Sequence, residues 1–245
     1  MKCLCIDIGN SRVKYGIFEK DSLLEISYSP KPNIDKIDQL LYNHNFKNII
    51  ISSVRPIDDV WLNHLQSISE VLLLDHLTPL PIQNEYQKPE SLGKDRLAAA
   101  VGASILQEDQ ACLIVDAGTC ITYDVLDPQA RYQGGNIAPG LQMRLDAMHH
   151  FTAKLPSLTL DEGQDGSIGK STPEAIMNGA CLGVLYELQG YIESLEVKFG
   201  QLMVICTGGN AEYLAKRLKN KIFVRPNLVL EGLNKILTYN VHKNE

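Results

Sequence analysis

The chain of 245 residues is long enough for one large domain or two of ordinary size, and 44% of its residues are apolar, which is enough for real hydrophobic cores. Its formal net charge is −6 and it has no basic run, so neither nucleic acid nor a membrane surface is an expected partner. The absence of a long apolar stretch, of a signal-peptide pattern and of zinc spacing among six cysteines predicts a cytoplasmic protein with reduced thiols.

The first half of the chain alternates predicted strands and helices. Strands at 3–8 and 13–18 are joined by a tight turn in which Gly9 and Asn10 tolerate positive φ. Three prolines make 78–91 a loop. The other predicted elements are strand 23–29, helix 34–45, strand 48–54, helix 58–68, strand 71–75 and helix 95–107, with Asp95 at the start of the last helix.

The second half repeats the opening pattern. An apolar strand, an aspartate, one residue, a glycine, a small polar turn and a second strand recur in 111–127, where Asp116 corresponds to Asp7, 109 positions earlier. A unit repeated at about half the chain length predicts two related domains, 1–108 and 109–245. Further predicted elements are the link GGNIAPG (134–140), a helix with an apolar stripe from Leu141 to Leu155, helix 174–196, strand 202–207 and helix 211–219.

An aspartate at the end of a buried strand, followed by a glycine-containing turn, is typical of a site for a magnesium nucleotide. The N–H groups of such a turn bind phosphate oxygens, and the carboxylate of Asp7 would hold hydrated Mg²⁺. Lys14, in the next strand, is suited to neutralise charge on a transferring phosphoryl group. For DIGNS (7–11) alone, an ordinary hairpin turn is an equally good explanation. The second copy, DAGT at 116–119, favours nucleotide binding.

Two further motifs have both a structural and a functional interpretation. Asp95 and Arg96 in GKDR (93–96) are either a helix N-cap beside a surface arginine, or a general base beside a cation that binds an anionic substrate. Composition does not separate the two. TGGN (207–210) follows a buried strand and suits a phosphate or nucleoside at a helix N-terminus, although any tight strand–helix turn has this pattern.

Taken together and in this order, the motifs resemble those of the type III pantothenate kinases, members of the superfamily of acetate and sugar kinases, heat-shock chaperones and actin. The resemblance covers nearly the whole chain and implies an α/β fold of two related ribonuclease H-like (actin-like ATPase) domains, with mixed sheets and flanking helices, that face a central cleft. The motifs are DIGNS (7–11), ISSV (51–54), Tyr86 with Pro89, LGKDR (92–96), DAGT (116–119), GGNIAPG (134–140), Ser171-Thr172 and TGG (207–209).

The resemblance implies ATP-dependent phosphorylation of pantothenate, the first step of coenzyme A biosynthesis. Asp95 would deprotonate the primary hydroxyl of pantothenate, and Arg96 would hold its carboxylate. The substrate pocket would be completed by Tyr86, Gly93, Lys94 and Thr172. The ATP-binding residues would be Asp7, Ile8, Gly9, Asn10, Ser11, Arg12, Val13, Lys14 and Thr119.

The resemblance also implies ions and a partner. Asp116 would contact a monovalent cation, K⁺ or NH₄⁺, and the active site would lie at the interface of a homodimer. Cys120 and Ile121 follow DAGT where the family more often has small or hydroxyl residues, so the sequence does not decide whether the cation is required. Lys94 stands where a small or apolar residue is common, and it adds positive charge beside Asp95.

Two other functions stay open from the sequence. One is a non-enzymatic transcriptional accessory factor of the same family, and the other is a different small-molecule kinase of the superfamily. Asp7, Asp95, Arg96 and Asp116 together favour catalysis, because a protein that only binds needs no base at position 95.

Overall fold

The computed structural model describes residues 2–161 and 166–243, and contacts divide the chain into two compact units. The first unit comprises Met1–Gln107, Ala130–Gln133 and Asn227–Glu245, and the second comprises Glu108–Gln129 and Gly134–Pro226. The chain thus passes from the first unit into the second at Glu108, and its C-terminal segment belongs to the first unit. A domain division at residue 108 stays a prediction.

The predicted strands and helices occur in the predicted order, together with elements that were not predicted. The first part of the chain forms β1 (Lys2–Ile8), β2 (Val13–Glu19), β3 (Ser22–Ser29), α1 (Ile34–Asn43), β4 (Phe46–Ser53), α2 (Asp59–Ile68), β5 (Glu70–Leu73), β6 (Gln83–Asn84), a short 3₁₀ turn (Pro89–Ser91) and α3 (Lys94–Ser104). The second part forms β7 (Ala111–Ala117), β8 (Cys120–Leu126), β9 (Arg131–Pro139), α4 (Leu141–His150), α5 (Thr172–Phe199), β10 (Leu202–Thr207), α6 (Ala211–Arg217), β11 (Ile222–Val224) and α7 (Leu228–Lys243). Of these, β6, the 3₁₀ turn, β9, β11 and α7 were not predicted.

Several predicted boundaries are wrong; helix α3, for example, ends at Ser104 rather than at residue 107. Helix α3 begins at Lys94 with Gly93 as its N-cap, so Asp95 lies inside the first turn. Helix α4 ends at His150 rather than near Leu155. Most of the predicted link GGNIAPG belongs to β9, because sheet pairing overrides the weak strand propensity of glycine and proline. A Cβ on Gly135 would lie 2.1 Å from the Tyr123 carbonyl oxygen, so the glycine permits this close pairing.

The two units share one sheet topology. In the first unit, the strand order is β3-β2-β1-β4-β5, with β1 antiparallel to β2 and parallel to β4. In the second unit, the order β9-β8-β7-β10-β11 repeats this arrangement, with β7 antiparallel to β8 and parallel to β10. The short β6 pairs with the start of β9, where Gln83 and Asn84 meet Arg131 and Tyr132 of the first unit. The sequence repeat is therefore a structural repeat of two mixed sheets.

The two faces of the first sheet have different partners. Leu4, Ile6 and Ile8 point to one face, where they join a core with residues of α1 and α2. Because side chains alternate along a strand, Cys3 and Asp7 point to the opposite face. There the Cys3 Sγ donates a hydrogen bond to Asn234 of α7 at 3.1 Å. Asp7 and Ile8 are thus neighbours in sequence but lie on opposite faces.

Helices α3 and α7 pack very closely through two glycines. A Cβ on Gly232 of α7 would lie 1.8 Å from the Ala98 carbonyl oxygen of α3. A Cβ on Gly102 of α3 would lie 2.4 Å from the Leu228 carbonyl oxygen of α7. Real side chains do not approach backbone atoms so closely, so the position of α3 depends on both glycines.

All six cysteines have free thiols. Burial raises the pKa of Cys112 to about 12, and burial together with the charge of Asp116 raises the pKa of Cys206 to about 12. These two thiols therefore stay protonated and unreactive at neutral pH. Among the helices in residues 2–161 and 166–243, none combines the length and apolar character that a bilayer crossing requires.

Candidate active site

The first acidic turn places three different chemical groups on one face at the end of the sheet. Asp7, near the end of β1, has Lys14 of β2 and Ser52 of β4 as its directly paired neighbours. Paired residues on adjacent strands point to the same face, so a carboxylate, an ammonium and a hydroxyl are brought together. Asp7 is 7% exposed, and the hydroxyl of the buried Ser52 has no hydrogen-bond partner.

The turn between β1 and β2 is closed by its own backbone. The Gly9 N–H donates to the Arg12 carbonyl oxygen at 3.1 Å. Neither Gly9 nor Asn10 adopts positive φ, so the turn does not use the left-handed conformation that these two residues tolerate. Arg55 follows β4, and its guanidinium donates a hydrogen bond to the Asn10 carbonyl oxygen at 3.5 Å. Arg55 thus contacts the turn although it is not part of it, and the sequence motifs do not include this residue.

The second acidic turn has the same scaffold with different neighbours. Asp116 of β7 pairs directly with Thr122 of β8 and Thr207 of β10. Both threonine hydroxyls are buried, and neither has a hydrogen-bond partner. Where Asp7 has an ammonium and a hydroxyl beside it, Asp116 therefore has two hydroxyls. Oxygen atoms alone suit a hard cation better than a phosphate.

Two other loops of the second unit meet this second turn. The Gly140 N–H donates to the Thr119 carbonyl oxygen at 3.1 Å, and the Asn210 N–H donates to the Ala117 carbonyl oxygen at 3.0 Å. Gly208 has a φ of 89°, and a Cβ there would lie 2.4 Å from the Asp116 Oδ1. The glycines in GGNIAPG and TGG thus permit close approach of these loops to DAGT.

A third group of predicted residues lies together at the start of α3. The Asp95 Oδ1 accepts a hydrogen bond from the Arg96 N–H at 2.9 Å. Arg96 is only 6% exposed, and its guanidinium lies 5.9 Å from the centre of the Tyr86 ring. The Tyr86 ring in turn lies 6.2 Å from that of Tyr132, which is fully buried. A buried arginine against an aromatic ring is not the surface arginine of the structural interpretation.

These sites can be compared with known proteins. The family model for type III pantothenate kinase matches residues 3–194. The chain belongs to the type III pantothenate kinase family. A type III pantothenate kinase from Bacteroides fragilis is 41% identical over 238 residues, which cover 97% of this chain and 98% of the relative. The resemblance inferred from the motifs is therefore confirmed, and the family is one of kinases.

Solved structures share the fold at low sequence identity. A Campylobacter jejuni protein described as a Baf family transcriptional activator is 22% identical, with a TM-score of 0.63 over 98% of this chain and 99% of its own. A ROK hexokinase from Thermus thermophilus is 15% identical, with a TM-score of 0.51 over 98% of this chain and 100% of its own. These likenesses confirm the predicted α/β class of this type III pantothenate kinase family member, with mixed sheets like those of sugar kinases.

The remaining predicted residues are distributed over both units. Lys94 directs its Nζ to the Leu92 carbonyl oxygen at 3.1 Å, so its ammonium turns back to the preceding loop. A Cβ on Gly93 would lie 2.6 Å from the Asp95 Oδ1, so this glycine leaves room for the carboxylate. Thr172 is the first residue of α5 in the second unit, and Ser171 caps that helix.

Several residues of this pantothenate kinase family member were missed from sequence. A partial signal was present for Thr122, because it lies six positions after Asp116, close to the seven positions between Asp7 and the predicted Lys14. The register of the first repeat, seven positions from Asp7 to Lys14, would point to Tyr123 instead, because Thr122 lies only six positions after Asp116. Ser52 lies in the ISSV motif, but the sequence did not show that it pairs with Asp7. Arg55 and Tyr132 had no such signal, since they come from segments that only the fold brings to the sites.

Proposed function

We propose that the chain transfers the terminal phosphoryl group of ATP to the primary hydroxyl of pantothenate, the first step of coenzyme A biosynthesis. The observation that carries the proposal is the start of α3, where Asp95 and the buried Arg96 offer a carboxylate and a cation within one turn. Pantothenate has a hydroxyl to be deprotonated and a carboxylate to be bound. Family membership indicates pantothenate as the substrate. The first turn of α3 offers a base for its hydroxyl end and a cation for its carboxylate end.

Each of the residues at the start of α3 has a defined task in the proposal. Asp95 accepts the proton of the pantothenate hydroxyl as the hydroxyl oxygen bonds to phosphorus. Loss of the proton raises the nucleophilicity of that oxygen. Arg96 binds the substrate carboxylate by charge-assisted hydrogen bonds, and the Tyr86 ring fixes its guanidinium. Gly93, Lys94 and Thr172 complete the substrate-binding set.

The first turn is proposed to hold ATP. The N–H groups of residues 8–13 bind phosphate oxygens, Lys14 attracts the charge of the transferring group, and Thr119 contacts the nucleotide. Asp7 holds Mg²⁺ through water, and the ion supplies charge neutralisation when it is bound. In the part of the chain that the structure describes, no three His, Cys, Asp or Glu side chains are grouped as a metal site. Phosphate oxygens and water would therefore complete the coordination of Mg²⁺.

The second turn is proposed to hold a monovalent cation, K⁺ or NH₄⁺. The carboxylate of Asp116 and the buried hydroxyls of Thr122 and Thr207 fit such an ion, because each offers an oxygen ligand and both hydroxyls lack a partner among the residues that the structure describes. The Cys120 and Ile121 that depart from the family pattern are not the residues paired with Asp116. The departure therefore leaves these three oxygen donors in place.

Replacement of Thr207 by valine tests this cation site. Valine keeps the shape but removes one oxygen, so we expect the K⁺ concentration for half-maximal activity to rise by roughly tenfold, the effect of one lost polar contact. Thr238→Val in α7 is the control, since its hydroxyl bonds within its own helix to the Asn234 carbonyl oxygen. An unchanged K⁺ dependence in Thr207→Val would contradict the assignment.

A homodimer with the active site at its interface and a cytoplasmic location complete the proposal. Both come from the family resemblance and from the sequence composition. Sedimentation of the purified protein, with and without ATP, measures the first of these directly.

The decisive test of the function is ADP release across a panel of acceptors. We expect pantothenate with MgATP and K⁺ to give turnover well above that of sugars or acetate, and omission of K⁺ to lower it. If pantothenate releases no more ADP than buffer does, the proposal is wrong. Turnover with a sugar would then favour another kinase of the superfamily, and no turnover with any acceptor would favour a non-enzymatic role.

A further inference from the structure

A cavity of about 670 Å³ opens on the first unit, beside the carboxyl ends of β1 and β4. Ile8, Ile34 and Trp61 form apolar parts of its lining. Ile8 points to the face of the sheet that packs against α1 and α2, whereas Asp7 points to the opposite face. The cavity has the size of typical small-molecule sites, about 300–1,000 Å³, and it shares Ile8 with the residues assigned to ATP above.

Two hydrogen-bond donors of the lining residues have no acceptor. Trp61 is 3% exposed, and its indole Nε1 is buried without a partner. The Nη2 of Arg55 is also buried without a partner, while its Nη1 donates to the Asn10 carbonyl oxygen. An unsatisfied buried donor costs about 1–3 kcal/mol. Both residues line the cavity, and an oxygen of a bound molecule that reached these nitrogens would recover part of this cost.

The charges around the cavity limit the kind of molecule it accepts. Helices α1 and α2 both begin there, with their N-caps Asn33 and Asp58 in the lining, and helix N-termini favour anions. Lys31 and Arg55 face two acidic residues, Asp35 and Asp58, so the formal charge of the lining is balanced. A balanced lining does not suit a polyphosphate. It suits a molecule with one negative charge and an apolar body.

We propose that this cavity binds a small organic carboxylate, whose apolar body packs on Ile8 and Trp61 and whose carboxylate is held by Arg55. Arg55 also contacts Asn10 in the turn that is proposed to hold ATP phosphates. A bound carboxylate that draws Arg55 towards the cavity changes this contact and therefore the affinity for ATP. This regulatory part rests on the proposed function, whereas binding itself does not.

Trp61 is the single tryptophan of the chain, so its fluorescence reports directly on the cavity. The probe is benzoate, and benzamide is the matched probe of the same shape without the charge. We expect benzoate to change the fluorescence saturably, and to bind roughly tenfold more tightly than benzamide because a charge-assisted hydrogen bond is lost with the neutral molecule. Equal binding of the two probes, or no saturable change, overturns the site.

Variants locate the binding and separate it from catalysis. Arg55→Gln is expected to weaken benzoate binding roughly tenfold, and Lys31→Gln, at an exposed position, to weaken it by a smaller factor. Lys47→Gln removes an exposed cation at the other end of β4 and is expected to leave binding unchanged. Wild-type affinity in both Arg55→Gln and Lys31→Gln overturns the proposal.

The link to the ATP turn has its own readout. With saturating benzoate, we expect the KM for ATP in the ADP-release assay to change by about fivefold, a typical coupling between two sites. An unchanged KM overturns the regulatory part. The fluorescence titration needs no turnover, so a failure of the proposed kinase function would leave the test of the cavity intact.

Discussion

Asp95→Asn is expected to lower kcat for pantothenate by roughly a hundredfold to ten-thousandfold, the usual contribution of a general base. The amide keeps an oxygen that can accept the hydrogen bond from the Arg96 N–H, so α3 begins in the same way and the protein stays folded. ATP binding, which is assigned to the turn between β1 and β2, should be almost unchanged. Steady-state ADP release and calorimetric titration with ATP measure the two effects separately.

The matched control for this prediction is Glu90→Gln. Glu90 lies in the 3₁₀ turn just before α3 and is exposed, so removal of its charge alters the local electrostatics without touching the proposed base. We expect near wild-type turnover for this variant. Normal turnover in Asp95→Asn would exclude Asp95 as the base, and equal losses in both variants would point to a general effect of charge near α3.

Gly232→Ala is expected to lower the free energy of unfolding by about 3 kcal/mol, at the upper end of the usual cost of overpacking. The added Cβ would lie 1.8 Å from the Ala98 carbonyl oxygen, so α7 and α3 must separate. Because α3 carries Asp95 and Arg96 at its start, activity should fall as well. Thermal or denaturant unfolding measures the stability change.

Gly190→Ala in α5 serves as the control for this glycine. Both positions lie inside long helices, but a Cβ on Gly190 would meet nothing within 4 Å. Alanine there should be neutral or stabilise the helix by up to about 1 kcal/mol, since glycine is a poor helix former. A similar loss of stability in both variants would mean that helix propensity, and not the contact between α3 and α7, determines the effect.

The internal repeat shows how far local patterns carry. Each copy gives an apolar strand, an aspartate and a glycine turn, and each forms the same pair of antiparallel strands with a parallel neighbour. The pattern could not reveal that Asp7 has Ser52 beside it on the parallel strand, whereas Asp116 has Thr207 there. Those parallel neighbours are distant in sequence, and their register is set by sheet pairing.

The interpretation of Asp95 and Arg96 likewise needed the fold. From sequence, an N-cap beside a surface arginine was an equally good explanation of GKDR. The cap is Gly93, and Arg96 is buried against Tyr86, which is positioned by the pairing of β6 with β9. A helix start can be predicted to within a residue or two, but the burial of a side chain depends on segments that arrive from elsewhere in the chain.

The sequence by itself determined the α/β class, the duplicated acidic turns, the order of most strands and helices, and the family to which the chain belongs. These follow from short-range periodicity and from motifs whose residues are close together along the chain. Only the tertiary structure decided which hydroxyls flank each aspartate, why glycines occupy 102, 208 and 232, and that Arg55 joins the first turn to a cavity. Such features depend on contacts between distant segments, and no local pattern encodes them.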